Sequence, residues 1–263
     1  MNYFLIVSLR RCGSTYCASE LDSYKDVYCQ YEFVYKPPHK LNKNHKRIDL
    51  EEENFSFPAS IDSFCNNSLI RGSKVTFPDY QPDKAPDILR IIRKDKVKVI
   101  HIIRSLHEQM VSQKNVEKSG VYHVLRPGED AFQECLNSSH RHFERLQDTS
   151  KIEYKYHFTP SEVDTFCSHV TSIDAGICTL QATNPYLLIP YPDLTTSIET
   201  ILAFLQVPKI DSTYQKIKKQ GLKKIIKSDH KDMIENWSQV RPLFEKWERE
   251  REKLFSPDNT KNC

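Results

Sequence analysis

The chain has 263 residues, 38% hydrophobic and 28% charged, with 38 Lys and Arg against 35 Asp and Glu and a net charge of +3. That composition suits one sizeable α/β unit spanning 1–263, is too weakly basic to point to a nucleic-acid partner, and carries no apolar run long enough for a membrane span. The apolar start, Met1 to Val7, is too short for a signal peptide and runs directly into Arg10 and Arg11. The eight cysteines show no CxxC or zinc-type spacing, so reduced thiols in a cytoplasmic setting are expected.

In chain order, Tyr3 to Val7 reads as a buried strand. Ser8 to Tyr16 is a basic, small and hydroxylic turn, and a helix then runs towards Leu21. An aromatic stretch from Tyr28 to Tyr35 contains Glu32, and a polar segment with Pro37 and Pro38 follows it. Leu69 to Phe77 reads as a strand carrying Lys74, and Ala85 to Arg93 as a crossover helix. Val97 to Ile103 is the β-branched run of a central parallel strand. Ser105 and Glu108 have capping-box spacing for the helix that carries Ser112. Another helix is expected from Glu129, and Thr159-Pro-Ser-Glu162 starts a further one whose stripe includes Val163, Phe166, Cys167, Val170 and Ile177. A strand at Tyr186 to Asp193 precedes a helix capped by Thr196 and Glu199. A last helix carries the stripe Met233, Trp237, Val240, Phe244 and Trp247 before a polar tail, 256–263, that is expected to fray. Strands alternating with helices predict a P-loop-like three-layer α/β/α sandwich around a mostly parallel sheet, with ligands at the strands' carboxyl ends.

Two anion sites are legible. At Arg11-Cys-Gly-Ser-Thr15 a helix N-terminus offers unpaired N–H groups, and Gly13 allows close backbone approach. Arg11, Ser14 and Thr15 add side-chain donors, whereas the lysine of a nucleotide-hydrolase P-loop is missing. Cys12 is either a thiol activated by the surrounding charge or simply a small residue. At the second site Arg104 ends a strand, and Ser112 lies eight residues on, about two helical turns away.

Arg-Cys-Gly-Ser-Thr at 11–15 resembles the 5′-phosphosulfate loop of sulfotransferases that use 3′-phosphoadenosine 5′-phosphosulfate (PAPS), and Arg104 with Ser112 resembles their 3′-phosphate site. Tyr186-Leu-Leu-Ile-Pro-Tyr-Pro-Asp-Leu194 is similar to the family's Tyr-Glu-Asp-Leu strand and helix, with Pro192 in place of Glu. Bacterial carbohydrate sulfotransferases of the nodulation-factor and trehalose type are the group it resembles most. The resemblance implies sulfonate transfer from PAPS to a hydroxyl or amine of a small polar acceptor, without a metal. It places Arg11, Cys12, Gly13, Ser14 and Thr15 on the 5′-phosphosulfate, and Arg104, Ser112, Lys227 and Ser228 on the rest of the nucleotide. Glu32 stands where the trehalose type carries a Gly-Glu-Phe-like motif with its catalytic carboxylate, although Tyr31 replaces the Gly. Among aromatics it is either a base with a raised pKa or an edge-strand carboxylate facing water. Lys74 is either an active-site cation or a solvated strand lysine. Segments 36–66 and 118–158 are expected to face the acceptor. An ATP-dependent small-molecule kinase or nucleotide hydrolase, and a non-catalytic nucleotide-binding protein, are the other readings.

Overall fold

A computed structural model describes residues 2–29, 32–34, 45–50, 52, 54–63, 68–77, 82–119, 124–125, 154–208, 222–223 and 229–256. The strands are β1 (Asn2–Ser8), β2 (Val27–Tyr28), β3 (Glu32–Val34), β4 (His45–Arg47), β5 (Ile70–Thr76), β6 (Lys98–Ile103), β7 (Val124–Leu125), β8 (Tyr186–Pro190) and β9 (Leu222–Lys223). The helices are α1 (Ser14–Leu21), α2 (Phe57–Asp62), α3 (Ala85–Asp95), α4 (Leu106–Ser119), α5 (Pro160–Cys178), α6 (Ile198–Leu205) and α7 (Trp237–Leu254). The helix expected from Glu129 lies outside the described residues.

Phe4, Leu5, Ile6 and Val7 of β1 are all fully buried. A strand without a polar face must be covered on both sides, which places it at the centre of a parallel sheet. The order is β4–β3–β5–β1–β6–β8, with β2 also paired to β5, and each of these pairings is parallel. The β7–β9 pair is separate and antiparallel. Helices cover both faces: α1 packs on α6, while α3, α4 and α7 meet α5. Alternation along β6 shows the two sides. Lys98 donates to the Phe204 carbonyl of α6 at 3.0 Å, and His101, three residues on, pairs with Asp174 of α5 at 3.0 Å. This is the three-layer α/β/α sandwich that the alternation of elements predicts.

The chain leaves β1 towards β5 on one side and later enters β6 on the other. Such a reversal opens a crevice between the carboxyl ends of the two strands, where parallel α/β sheets bind ligands. The loops bearing Arg11 and Arg104 both begin there.

Local chemistry sets the helix starts. At α5 the Thr159 hydroxyl accepts from the Glu162 N–H at 3.2 Å, and Glu162 accepts the Thr159 N–H at 2.8 Å, with Pro160 opening the helix. Two expected capping boxes form differently. The first N–H of α4, from Leu106, is capped by Glu248 of α7 at 2.5 Å, while the Glu108 carboxylate turns to a buried guanidinium, a stronger partner than a backbone N–H. At α6 the helix begins at Ile198 with Ser197 at the N-cap position and no side-chain cap, and the Thr196 hydroxyl donates to the Asp193 carbonyl at 2.9 Å. Among the described residues no helix is long and apolar enough to cross a membrane.

Candidate functional site

The turn after β1 contains two left-handed residues, Arg11 (φ 67°) and Gly13 (φ 86°). Arg11 bears the strain of a side chain in that region, on the order of 1–2 kcal/mol. Gly13 is fixed by more than its φ, because an added Cβ would stand 2.6 Å from the Tyr191 ring. Close approach to an anion was the expected reason for this glycine, and the structure adds a packing reason. Gly13→Ala is accordingly expected to cost about 2 kcal/mol or more, from the backbone and overpacking together. Denaturant unfolding checks this, and an unchanged midpoint would refute it.

Gly13 caps α1 without a side-chain bond, so the N-terminus of that helix points its polarity into the crevice. Ser14 and Cys12 are buried in the same turn. Burial pushes the Cys12 thiol up to about 12, against the nearby Arg251 charge, so this cysteine is a protonated filler and the activated-thiol alternative drops out.

Next to the turn lies a cluster built by sheet register. Glu32 of β3 stands beside Lys74 of β5, so the two side chains leave the sheet on the same face, the face that α1 covers. The Lys74 ammonium is 2.7 Å from Glu32 Oε2 and donates to the Thr15 hydroxyl at 2.7 Å. The Thr76 hydroxyl, two residues along the same strand, donates to Glu32 Oε1. His45 of β4 stands 3.8 Å from Glu32 Oε2. Lys74 is 7% exposed, so it is not a solvated strand lysine.

Glu32 departs from expectation in one respect. Burial alone would raise its pKa, but the Lys74 charge and the bonds from Lys74 and Thr76 outweigh burial and bring it down to about 2. The raised-pKa alternative rested on the aromatic neighbours visible in sequence; the register partner that overrides it was not visible there.

The second site joins the first. Arg104 donates through Nη1 to the Arg11 carbonyl at 3.0 Å, and Arg11 Nε donates to the Ser112 hydroxyl at 3.2 Å. Arg104 and Ser112 are thus linked through Arg11, with no direct bond described between them. Arg104 Nε donates to Glu108 at 3.3 Å, Nη2 donates to His230 Nε2 at 2.9 Å, and the guanidinium lies 4.3 Å from the Tyr191 ring centre. The Tyr191 ring therefore lies against both the Gly13 turn and Arg104. From beneath, Arg251 of α7 donates to the Arg104 carbonyl at 2.5 Å and to Asp174 at 2.7 Å. Gln109 ties α4 to the Arg10 carbonyl at 2.9 Å. Lys227 and Ser228 lie outside the described residues.

Thr76, Tyr191, His230, Asp174 and Arg251 escaped the sequence reading. For two of them a signal existed. Asp174 continues the stripe Val163, Cys167, Val170, Ile177, and Arg251 continues Val240, Phe244, Trp247. One charge on each of two apolar faces, opposite in sign, marks a buried pair.

Among the described residues no group of three or more His, Cys, Asp or Glu side chains is placed to hold a metal ion. No protein-family model and no curated protein matches the chain. Among solved structures it is similar to a sulfotransferase from Alicyclobacillus acidocaldarius, at 13% identity and a TM-score of 0.48, over 97% of this chain and 95% of that one. At that level the likeness adds nothing to the site built above from its own residues.

Proposed function

We propose that the chain is a PAPS-dependent sulfotransferase acting on a small polar acceptor. The observation that carries this reading is the Lys74 ammonium, held between Thr15 at the start of α1 and the Glu32 carboxylate. A sulfuryl donor needs an anion-binding loop, a cation beside the transferring group, and a base at the acceptor. Here the three are in contact. The residues also fit the nucleotide: a helix N-terminus without a side-chain cap suits the 5′-phosphosulfate, and Arg104 with Ser112 suits the 3′-phosphate.

In the resting site Glu32 is a weak base, because Lys74 neutralises it. A shift of the ammonium onto a sulfonate oxygen removes that neutralisation and leaves burial to raise the carboxylate's proton affinity. Glu32 then takes the proton of the acceptor hydroxyl or amine as its oxygen or nitrogen bonds to sulfur. The bond from sulfur to the bridging phosphate oxygen breaks, and the phosphate leaves with the electron pair. Lys74, Arg11 and the α1 N–H groups offset the charge that accumulates there. Transfer of this kind is positioning and electrostatics, with no covalent role for the protein.

Ligand-dependent unfolding tests the reading, with 3′-phosphoadenosine 5′-phosphate set against AMP and against ATP with magnesium. At 100 times its dissociation constant the bisphosphate is expected to stabilise by about 2.7 kcal/mol. Stabilisation by ATP with magnesium alone would instead favour the kinase reading, and stabilisation by none would exclude the nucleotide.

A further inference from the structure

The geometry points to His230 as a positioning residue that sets the Arg104 guanidinium for the 3′-phosphate; this rests on the sulfotransferase reading above. A guanidinium only donates, so the 2.9 Å contact from Arg104 Nη2 requires a lone pair on His230 Nε2. The proton of the neutral ring then sits on Nδ1, which lies 3.5 Å from Glu108 Oε1. Glu108 returns to Arg104 through its other oxygen at 3.3 Å, closing a three-membered ring of contacts. His230 is 1% and Arg104 6% exposed, so water does not substitute easily for any member.

The ring of contacts has a purpose beyond packing. Of the five guanidinium N–H groups, Glu108, the Arg11 carbonyl and His230 take three. That leaves one N–H on each Nη without a partner among the described residues, a pair suited to a phosphate. The Tyr191 ring holds the plane. His230 thus decides which N–H groups of Arg104 face the ligand. It enters from a 3-10 turn, His230–Met233, at a sequence separation of 126 residues from Arg104.

A protonated ring has no lone pair, and its Nε2–H would confront a donor at the same position. Imidazole is the side chain that ordinarily makes this change between pH 5 and 8. Arg104 and Glu108 face it directly, His107 stands next to Glu108 on α4, and Asp229, Lys231 and Asp232 flank it on its own turn. A second cation at that distance is repelled by Arg104 more directly than it is attracted by Glu108. Acid therefore misaligns the guanidinium and weakens 3′-phosphate binding.

The test is calorimetric binding of 3′-phosphoadenosine 5′-phosphate and of AMP to wild type, His230→Gln and His230→Ala from pH 5.5 to 8.5. Gln keeps an acceptor at the reach of Nε2 and cannot titrate. At pH 7.5 His230→Gln should bind the bisphosphate within about threefold of wild type, and His230→Ala about tenfold more weakly, with AMP unaffected. Below pH 6.5 wild type should lose affinity about fivefold beyond His230→Gln, the ligand's own protonation being common to both. Equal losses for both nucleotides, or superimposable profiles for wild type and His230→Gln, would overturn the positioning role and leave the sulfotransferase reading standing. If wild type binds neither nucleotide, the sulfotransferase reading falls instead. The imidazole 15N shifts of His230 then decide the geometry: an Nδ1–H tautomer bonded to Arg104 upholds it, and an Nε2–H tautomer overturns it.

Discussion

Glu32→Gln is expected to lower the turnover number for sulfonate transfer by about 10²–10⁴-fold while nucleotide affinity stays within a few-fold of wild type. The amide keeps the shape of the carboxylate and can still accept from Thr76, but it cannot take a proton from the acceptor. Lys74 loses its counter-charge and keeps Thr15. The pair Lys74→Met and Glu32→Gln should therefore be non-additive, because each removes the same exchange of partners. Turnover of Glu32→Gln within tenfold of wild type would remove Glu32 as the base.

The same carboxylate makes a stability prediction whose sign follows from its lowered pKa. Its ordinary value is 4.5 and its folded value about 2, so its contribution is complete above about pH 5 and is lost as the pH falls from there towards 2. The loss is on the order of 2–3 kcal/mol, and Glu32→Gln should flatten that part of the stability curve.

The second large effect belongs to the pair beneath the site. Asp174 and Arg251 are 0% and 3% exposed, and Asp174 also takes a bond from His101 at 3.0 Å. The Arg251 charge and the His101 bond hold Asp174 below the usual carboxylate range despite a burial that works the other way. Removing one partner leaves a buried charge alone, a loss of about 3–5 kcal/mol. Asp174→Asn or Arg251→Met should therefore lower the melting temperature by roughly 10 °C for a chain of this size. The double variant Asp174→Leu with Arg251→Met should recover only part of that loss, since an apolar pair carries no ionic desolvation penalty but leaves the His101 ring and the Arg104 carbonyl without their bonds. A single-variant shift under about 2 °C would contradict the assignment.

How far the sequence alone reaches depends on what each feature answers to. The strand at Tyr3–Val7 and the Thr159 capping box follow from apolar runs and local hydrogen bonding, which neighbouring residues decide, and the mostly parallel sheet follows from strands alternating with helices. The turn at Arg11–Thr15 was visible for the same reason. Glu32 was singled out with its charge state left open between a raised pKa and a solvent-facing carboxylate, because Lys74 lies 42 residues away and only strand register brings the two together. His230 carries no local mark at all, since its partners are set by where its turn comes to rest against α4. Asp174 and Arg251 stand between these cases, legible as charges on apolar stripes once both helices are read together.

The central place of β1 has a consequence for biosynthesis. Its first partner strand begins at Ile70 and its second at Lys98, so a strand that ends fully buried leaves the ribosome with neither edge covered. At about 5–20 residues per second, that exposure lasts several seconds. No hairpin can relieve it, because parallel partners arrive only after a crossover. The yield of native protein should therefore depend on translation speed and on chaperones that hold short apolar segments, more than on the stability of the finished sheet.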